Sequence, residues 1–114
     1  MVQIDKVQEN DISTLVINGD IDASSSIQLD DSLGAVVGSG ASKILIDCAG
    51  LNYISSAGLG VFMSYIEEIN TKNIQMAIFG LNEKVRNVFD ILGLDQLLTI
   101  VNTEKEALEV VNKG

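Results

Sequence analysis

The spacing of apolar residues changes from segment to segment along the chain, and it predicts strands and helices in turn. Short runs of alternating or continuous apolar residues predict five strands, at residues 2–7, 12–17, 43–47, 74–79 and 97–101. Apolar residues three and four positions apart predict four helices, at about residues 24–37, 55–70, 82–92 and 103–111. The predicted order is β-β-α-β-α-β-α-β-α.

This order places the chain in the α/β class. The first two strands form a hairpin, and the later strands alternate with helices, which favours parallel pairing. We therefore expect a mixed, mostly parallel sheet of four to five strands with about four helices. Residues 1–114 are short enough to form one domain. Binding sites on such sheets form beyond the carboxyl ends of the strands.

Two helix starts carry the spacing of a capping box, in which side chain and backbone satisfy each other. Ser25 and Gln28 predict this arrangement at the first helix, and Thr103 and Glu106 predict it at the last. Asp22 is an alternative cap for the first helix, since a carboxylate also accepts from backbone N–H groups there.

A turn of small residues follows the third predicted strand, which ends at Asp47 and is apolar enough to be covered on both faces. Ser55 and Ser56 lie where the next helix begins, and the first N–H groups of a helix have no partner within it. The helix dipole adds partial positive charge at the same place. A serine here either caps the helix with its oxygen or stands at a site that can hold an anion such as a phosphate.

Three acidic residues, Asp20, Asp22 and Asp47, are predicted at the ends of strands and could cluster at one end of the sheet. A cluster of this kind would suit a weakly held divalent cation or a basic partner. The alternative is that these are solvated carboxylates that shape turns, and we expect no metal site and no cofactor.

The charge balance narrows the possible partners. Seven basic residues stand against sixteen acidic ones, which gives a formal net charge of −9. This disfavours nucleic acid, which requires a basic footprint, and anionic membrane surfaces. The charge is compatible with a basic protein partner, and also with solubility alone.

The residue inventory argues against an enzyme and against export. The chain has no histidine, no evident pair of nucleophile and base, and a single cysteine, Cys48, which we expect to be a small buried residue. No apolar run is long enough to cross a membrane, and the first residues do not resemble a secretory signal. We therefore expect a cytoplasmic, non-catalytic protein that does not insert into membranes.

Residues 45–60, with the sequence LIDCAGLNYISSAGLG, resemble the signature of the STAS domain family. The likeness extends over the whole chain: residues 19–22 (GDID) and 89–94 (FDILGL) match as well. Within the family the chain looks like the stand-alone bacterial anti-sigma factor antagonists, so the resemblance implies the STAS fold and a regulatory role.

In these antagonists the turn commonly reads Asp-Ser-Ser/Thr-Gly-Leu. A serine kinase that is also the anti-sigma factor phosphorylates the first Ser or Thr after the Asp. Aligned on its glycine, the acceptor in this chain is Ser56. Two positions depart from the pattern, because Ser55 replaces the Asp and Ala57 replaces the next Ser or Thr.

The resemblance implies a phosphorylation switch. The unphosphorylated protein would bind an anti-sigma factor that is a GHKL-type serine kinase, phosphate on Ser56 would release it, and a PP2C-type phosphatase would reset it. The alternative is a STAS scaffold without a switch, or a small subunit of a transport or signalling assembly. The predicted partner-binding residues are Asp20, Ile21, Asp22, Asn52, Tyr53, Ser55, Ser56, Ala57, Gly58 and Leu59.

Overall fold

A computed structural model describes residues 2–113 as a five-stranded mixed sheet with strand order β1-β2-β3-β4-β5. β1 runs antiparallel to β2, whereas β2, β3, β4 and β5 pair in parallel. The predicted fold class is confirmed. The strands are β1 (Val2–Glu9), β2 (Ile12–Ile21), β3 (Lys43–Ile54), β4 (Gln75–Phe79) and β5 (Ile100–Val101).

The helices cover the two faces of the sheet unequally. One core contains Ile44 and Ile46 of β3 together with apolar residues of the first four helices, and a smaller core joins Leu45 to Ala107 and Val111 of the last helix. Successive residues of β3 therefore lie on opposite faces of the sheet and belong to two different cores. The helices are α1 (Ser26–Gly38), α2 (Ser56–Ser64), α3 (Ile66–Thr71), α4 (Glu83–Ile91) and α5 (Glu104–Asn112), with a short 3-10 turn at Leu94–Gln96.

β3 is longer than its apolar run suggests. The strand was predicted to end at Asp47 but continues to Ile54, alongside β2, through two register shifts. Gly50 leaves room for the Asn18 side chain in this stretch, since a Cβ at that position would lie 1.8 Å from the Asn18 side-chain oxygen. The extension brings Asn52 and Tyr53 to the end of the sheet.

Two helix predictions are wrong in detail. The capping box at Ser25 does not form, because Ser25 has helical backbone angles and makes no side-chain cap. The helix predicted over 55–70 is broken at Tyr65, whose hydroxyl donates to Asp30 Oδ1 at 2.6 Å and so ties the break to α1. The capping box of Thr103 and Glu106 is confirmed.

Cys48 is fully buried, and this burial raises the pKa of its thiol. The prediction of a small buried residue is confirmed. Within residues 2–113, none of the helices has the length and apolar character needed to span a bilayer.

Candidate functional site

The two serines at the start of α2 have different roles. Ser55 is the N-cap, with extended backbone angles, and its Oγ accepts a hydrogen bond from Gly58 N at 3.2 Å. Its carbonyl oxygen accepts from Leu59 N at 3.0 Å, which is the first bond of the helix. Ser55 therefore performs the capping that the sequence allowed for either serine.

Ser56 does not take part in capping α2. It is the first residue of α2, its side chain is exposed, and in the described part of the chain its hydroxyl makes no hydrogen bond. The first turn of α2 carries no acidic residue. The N–H groups of Ser56 and Ala57 precede Leu59 N, the first backbone donor within the helix. They have no acceptor in the helix, so the helix terminus favours negative charge at this point.

The loop that follows β2 is joined directly to this helix start. Ser55 N donates to the carbonyl oxygen of Ile21 at 2.8 Å. A Cβ on Gly58 would lie 2.8 Å from Ile21 Cγ2 and equally close to Ile54 Cγ1, so the glycine allows the helix to approach both residues. Two predicted partner-binding segments, 20–22 and 52–59, are thereby brought together.

Asp22 organises the loop before α1. Its Oδ1 accepts from Ser25 N at 2.8 Å and from the hydroxyls of Ser24 and Ser25 at 2.9 Å. These bonds, with that from the Ser25 backbone the largest, lower the pKa of Asp22 to about 2. The stabilisation is therefore complete above the ordinary pKa of 3.8 and is lost as the pH falls toward 2. Asp22 therefore caps the turn that leads into α1, whereas α1 itself begins after Ser25 without a side-chain cap.

The predicted acidic cluster does not form. Asp47 lies within β3 beside Val16, whereas Asp20 pairs with Tyr53 at the far end of the strands. Among residues 2–113 no group of three or more His, Cys, Asp or Glu side chains is close enough to hold a metal ion.

The predicted partner-binding residues divide into an exposed set and a supporting set. Ile21, Gly58 and Leu59 are buried, and Ser55 is half-buried, so these residues shape the surface from below. We call the exposed set the Ser56 surface. It consists of Asp20, Asp22, Asn52, Tyr53, Ser56 and Ala57.

An apolar groove that the sequence did not predict adjoins this surface. Its volume is about 300 Å³, and it lies between Tyr53 and residues Lys84, Val85 and Val88 of α4. Tyr53 is 53% exposed and Val88 is 37% exposed. The apolar spacing of α4 was a signal for a helix, but it could not show that Val88 faces outward.

Capping fixes α4 beside the end of β3. Asn82 Oδ1 accepts from Val85 N at 2.8 Å, and its amide group donates to the carbonyl oxygen of Leu51 at 3.3 Å. Farther along, the rings of Phe62 in α2 and Phe89 in α4 pack with their centroids 5.8 Å apart. These contacts join α4, which lines the groove, to β3 and α2 at one end of the molecule.

Comparison with known proteins identifies the family. The STAS domain model matches residues 3–107, and the chain belongs to the STAS domain family. The chain is similar to the anti-sigma-B factor antagonist of Listeria monocytogenes, with 27% identity over 101 residues that cover 89% of each protein.

Two solved structures have the same fold. The anti-sigma factor antagonist from Mycobacterium paratuberculosis is 21% identical, with a TM-score of 0.91 over 98% of this chain and 95% of that one. The Bacillus protein SpoIIAA in its phosphorylated form is 19% identical, with a TM-score of 0.69 over 96% of this chain and 97% of that one. At these identities the likeness establishes the fold.

Proposed function

We propose that this protein is an anti-sigma factor antagonist that is switched by phosphorylation of Ser56. The unphosphorylated protein binds an anti-sigma factor that is a GHKL-type serine kinase. The kinase transfers the terminal phosphoryl group of ATP to Ser56 Oγ. The bond from this group to the bridging oxygen breaks, ADP leaves, the hydroxyl proton passes to the kinase or to water, and the complex separates. A PP2C-type phosphatase hydrolyses the phosphoserine and restores binding. The protein acts in the cytoplasm as a binding module and not as an enzyme.

The observation that carries the proposal is the separation of roles between the two serines. Ser55 Oγ is engaged by Gly58 N, while the hydroxyl of Ser56 is exposed at the positive end of α2. A kinase can therefore modify Ser56 without removing the cap. Backbone N–H groups and the helix dipole partly offset the charge of an attached phosphate.

The position of Ser56 explains how a phosphate would release a partner. Ser56 is an exposed residue of the Ser56 surface, and this surface shares Asn52 and Tyr53 with the apolar groove. A phosphate adds about −1.5 to −2 charges at neutral pH. Leaving such a charge buried and unpaired in an interface costs about 2–5 kcal/mol. A protein with this fold, SpoIIAA, has been solved in a phosphorylated form, which supports the compatibility of the fold with the modification.

A STAS scaffold without a switch is the second candidate. It is favoured by Ser55 and Ala57, which replace the acidic and hydroxyl residues common in the switched antagonists. Such a scaffold would use the same surface, and Ser56 would remain unmodified.

Phosphopeptide mapping and binding assays test the proposal together. In protein from its native cell we expect phosphate on Ser56 that changes between growth and stress. With the cognate serine kinase, Ser56→Ala should bind as the wild type does, and Ser56→Asp should bind at least about tenfold more weakly. Val88→Lys, in the groove, should also weaken binding.

Matched variants separate local effects from general ones. Ser42→Asp adds the same charge at an exposed serine before β3, and Asn87→Lys adds a cation at the exposed neighbour of Val88. Both should bind as the wild type does. An unmodified Ser56 under every condition, together with equal binding by Ser56→Asp and wild type, would contradict the switch and favour the scaffold.

A further inference from the structure

The second face of the sheet is only half covered. Among the described residues, α5 packs on this face through Ala107 and Val111, which contact Leu45, Ala77 and Phe79 of β3 and β4. The side chains that β1 and β2 direct to the same face are left partly open. Val7 is 51% exposed, and Thr14 and Val16 are half-buried.

These side chains form the floor of a groove beside α5. We call it the back-face groove, and it has a volume of about 180 Å³. Val7, Thr14 and Val16 lie on its floor, and Glu9, Asp47 and Glu104 are acidic residues on its lining. Of the three acidic residues predicted to cluster, Asp47 is the one that lies outside the Ser56 surface.

The chain does not neutralise the acidic lining. The ion pairs of residues 2–113 join Lys43 to Asp11, Lys72 to Glu68 and Arg86 to Asp90, so none involves the three carboxylates of the groove. Lys43, which pairs with Ile12 across β2 and β3, is held by Asp11 at 3.0 Å. The lining is therefore complementary in charge to a basic partner.

The usual distances between strands and between packed helices indicate that a helix fits over β1 and β2. α5 lies over β3 and β4, so the surface of β1 and β2 is displaced from it by two strands, or about 10 Å at the usual strand spacing of about 4.8 Å. Packed helices lie about 8–10 Å apart. A helix placed over β1 and β2 would therefore pack against both α5 and the sheet, and would complete the layer.

We propose that the back-face groove docks an amphipathic helix of a partner protein. The apolar stripe of that helix covers Val7, Thr14 and Val16, and its Lys or Arg side chains pair with Glu9, Asp47 and Glu104. A second copy of this chain is a poor occupant, since two such faces would oppose carboxylates to carboxylates. α2, which carries Ser56, packs on the opposite face, so both surfaces can be occupied at once.

A synthetic helical peptide tests this surface directly. The probe is an amphipathic peptide of Leu and Lys, and the controls are the same peptide with Glu in place of Lys and one with the residues in scrambled order. With the full chain, only the amphipathic basic peptide should shift the backbone amide resonances of β1, β2 and α5. Val7→Lys should weaken its binding at least about tenfold.

Two variants decide whether the binding is local. Ile27→Lys adds the same charge at an exposed apolar residue of α1 (67% exposed), and its affinity for the peptide should equal that of the wild type. Ser56→Asp should also bind the peptide normally, which separates this proposal from the proposed switch. Equal losses in Val7→Lys and Ile27→Lys, resonance shifts spread over the molecule, or equal binding of the scrambled peptide would overturn the proposal.

Discussion

Neighbouring serines can differ in function because a helix has only one N-cap position. Ser55 occupies it, with extended backbone and its oxygen on Gly58 N, and Ser56 is already inside the first turn. Sequence alone left the capping role open between them. The family resemblance implied that Ser56 is the phosphoacceptor. The geometry is compatible with this role, because the neighbouring Ser55 provides the cap.

The difference predicts unequal effects of alanine on stability. Ser55→Ala removes the cap of α2 and should lower the free energy of unfolding by about 1 kcal/mol. Ser56→Ala removes a hydroxyl without a partner among the described residues, so it should change the free energy of unfolding by less than about 0.5 kcal/mol. Urea denaturation of both variants measures the difference, and equal losses would show that the capping role is shared.

At the scale of elements, the site depends on how closely α2 approaches β2 and β3. Gly58 faces Ile21 and Ile54 with room for a hydrogen but not for a methyl group. Gly60 lies in the same helix, and a Cβ there would have no neighbour within 4 Å. The two glycines thus provide a matched test of close packing against helix propensity.

We expect opposite signs for the two alanine variants. Gly58→Ala should destabilise the protein by about 1–3 kcal/mol, because the added methyl group forces Ile21 and Ile54 to shift. Gly60→Ala should stabilise it by about 0.5–1 kcal/mol, because alanine favours the helix. Thermal unfolding compares them. Stabilisation by both substitutions would contradict the packing.

The order of the elements could be predicted from the sequence, whereas several details of the site could not. Apolar periodicity was sufficient for the order of the strands and for the approximate places of the helices, because each helix buries one apolar stripe and the central strands bury both faces; it missed the break at Tyr65. Periodicity could not extend β3 beyond Asp47, since residues 48–54 pair with β2 only through two register shifts. Periodicity also could not show that the Val88 side chain is exposed, or that Asp47 and Asp20 lie apart. Both features depend on how distant segments of the chain pack together.

At the scale of the whole molecule, the proposed switch requires that charge at Ser56 alters binding and leaves the fold intact. The core near Ser56 consists of residues beneath it, Ile21, Ile54 and Leu59, and their packing does not involve its hydroxyl. The positive terminus of α2 favours an anion at this place. The energetic cost of phosphate should therefore fall on the interface and not on the domain.

The Ser56→Asp variant tests whether charge at Ser56 can alter binding without lowering the stability of the fold. A negative charge in the first turn of a helix is worth about 0.3–1 kcal/mol, so the variant should be as stable as the wild type or more stable by up to that amount. Urea denaturation gives the free energy of unfolding, and amide resonances away from residues 20–22 and 52–59 should keep their positions. Loss of more than about 1 kcal/mol, beyond the usual effect of a surface substitution, would mean that charge at Ser56 disturbs the core. Release of a partner would then be a consequence of unfolding at this end of the sheet, and partner affinity would fall in parallel with stability across variants such as Gly58→Ala.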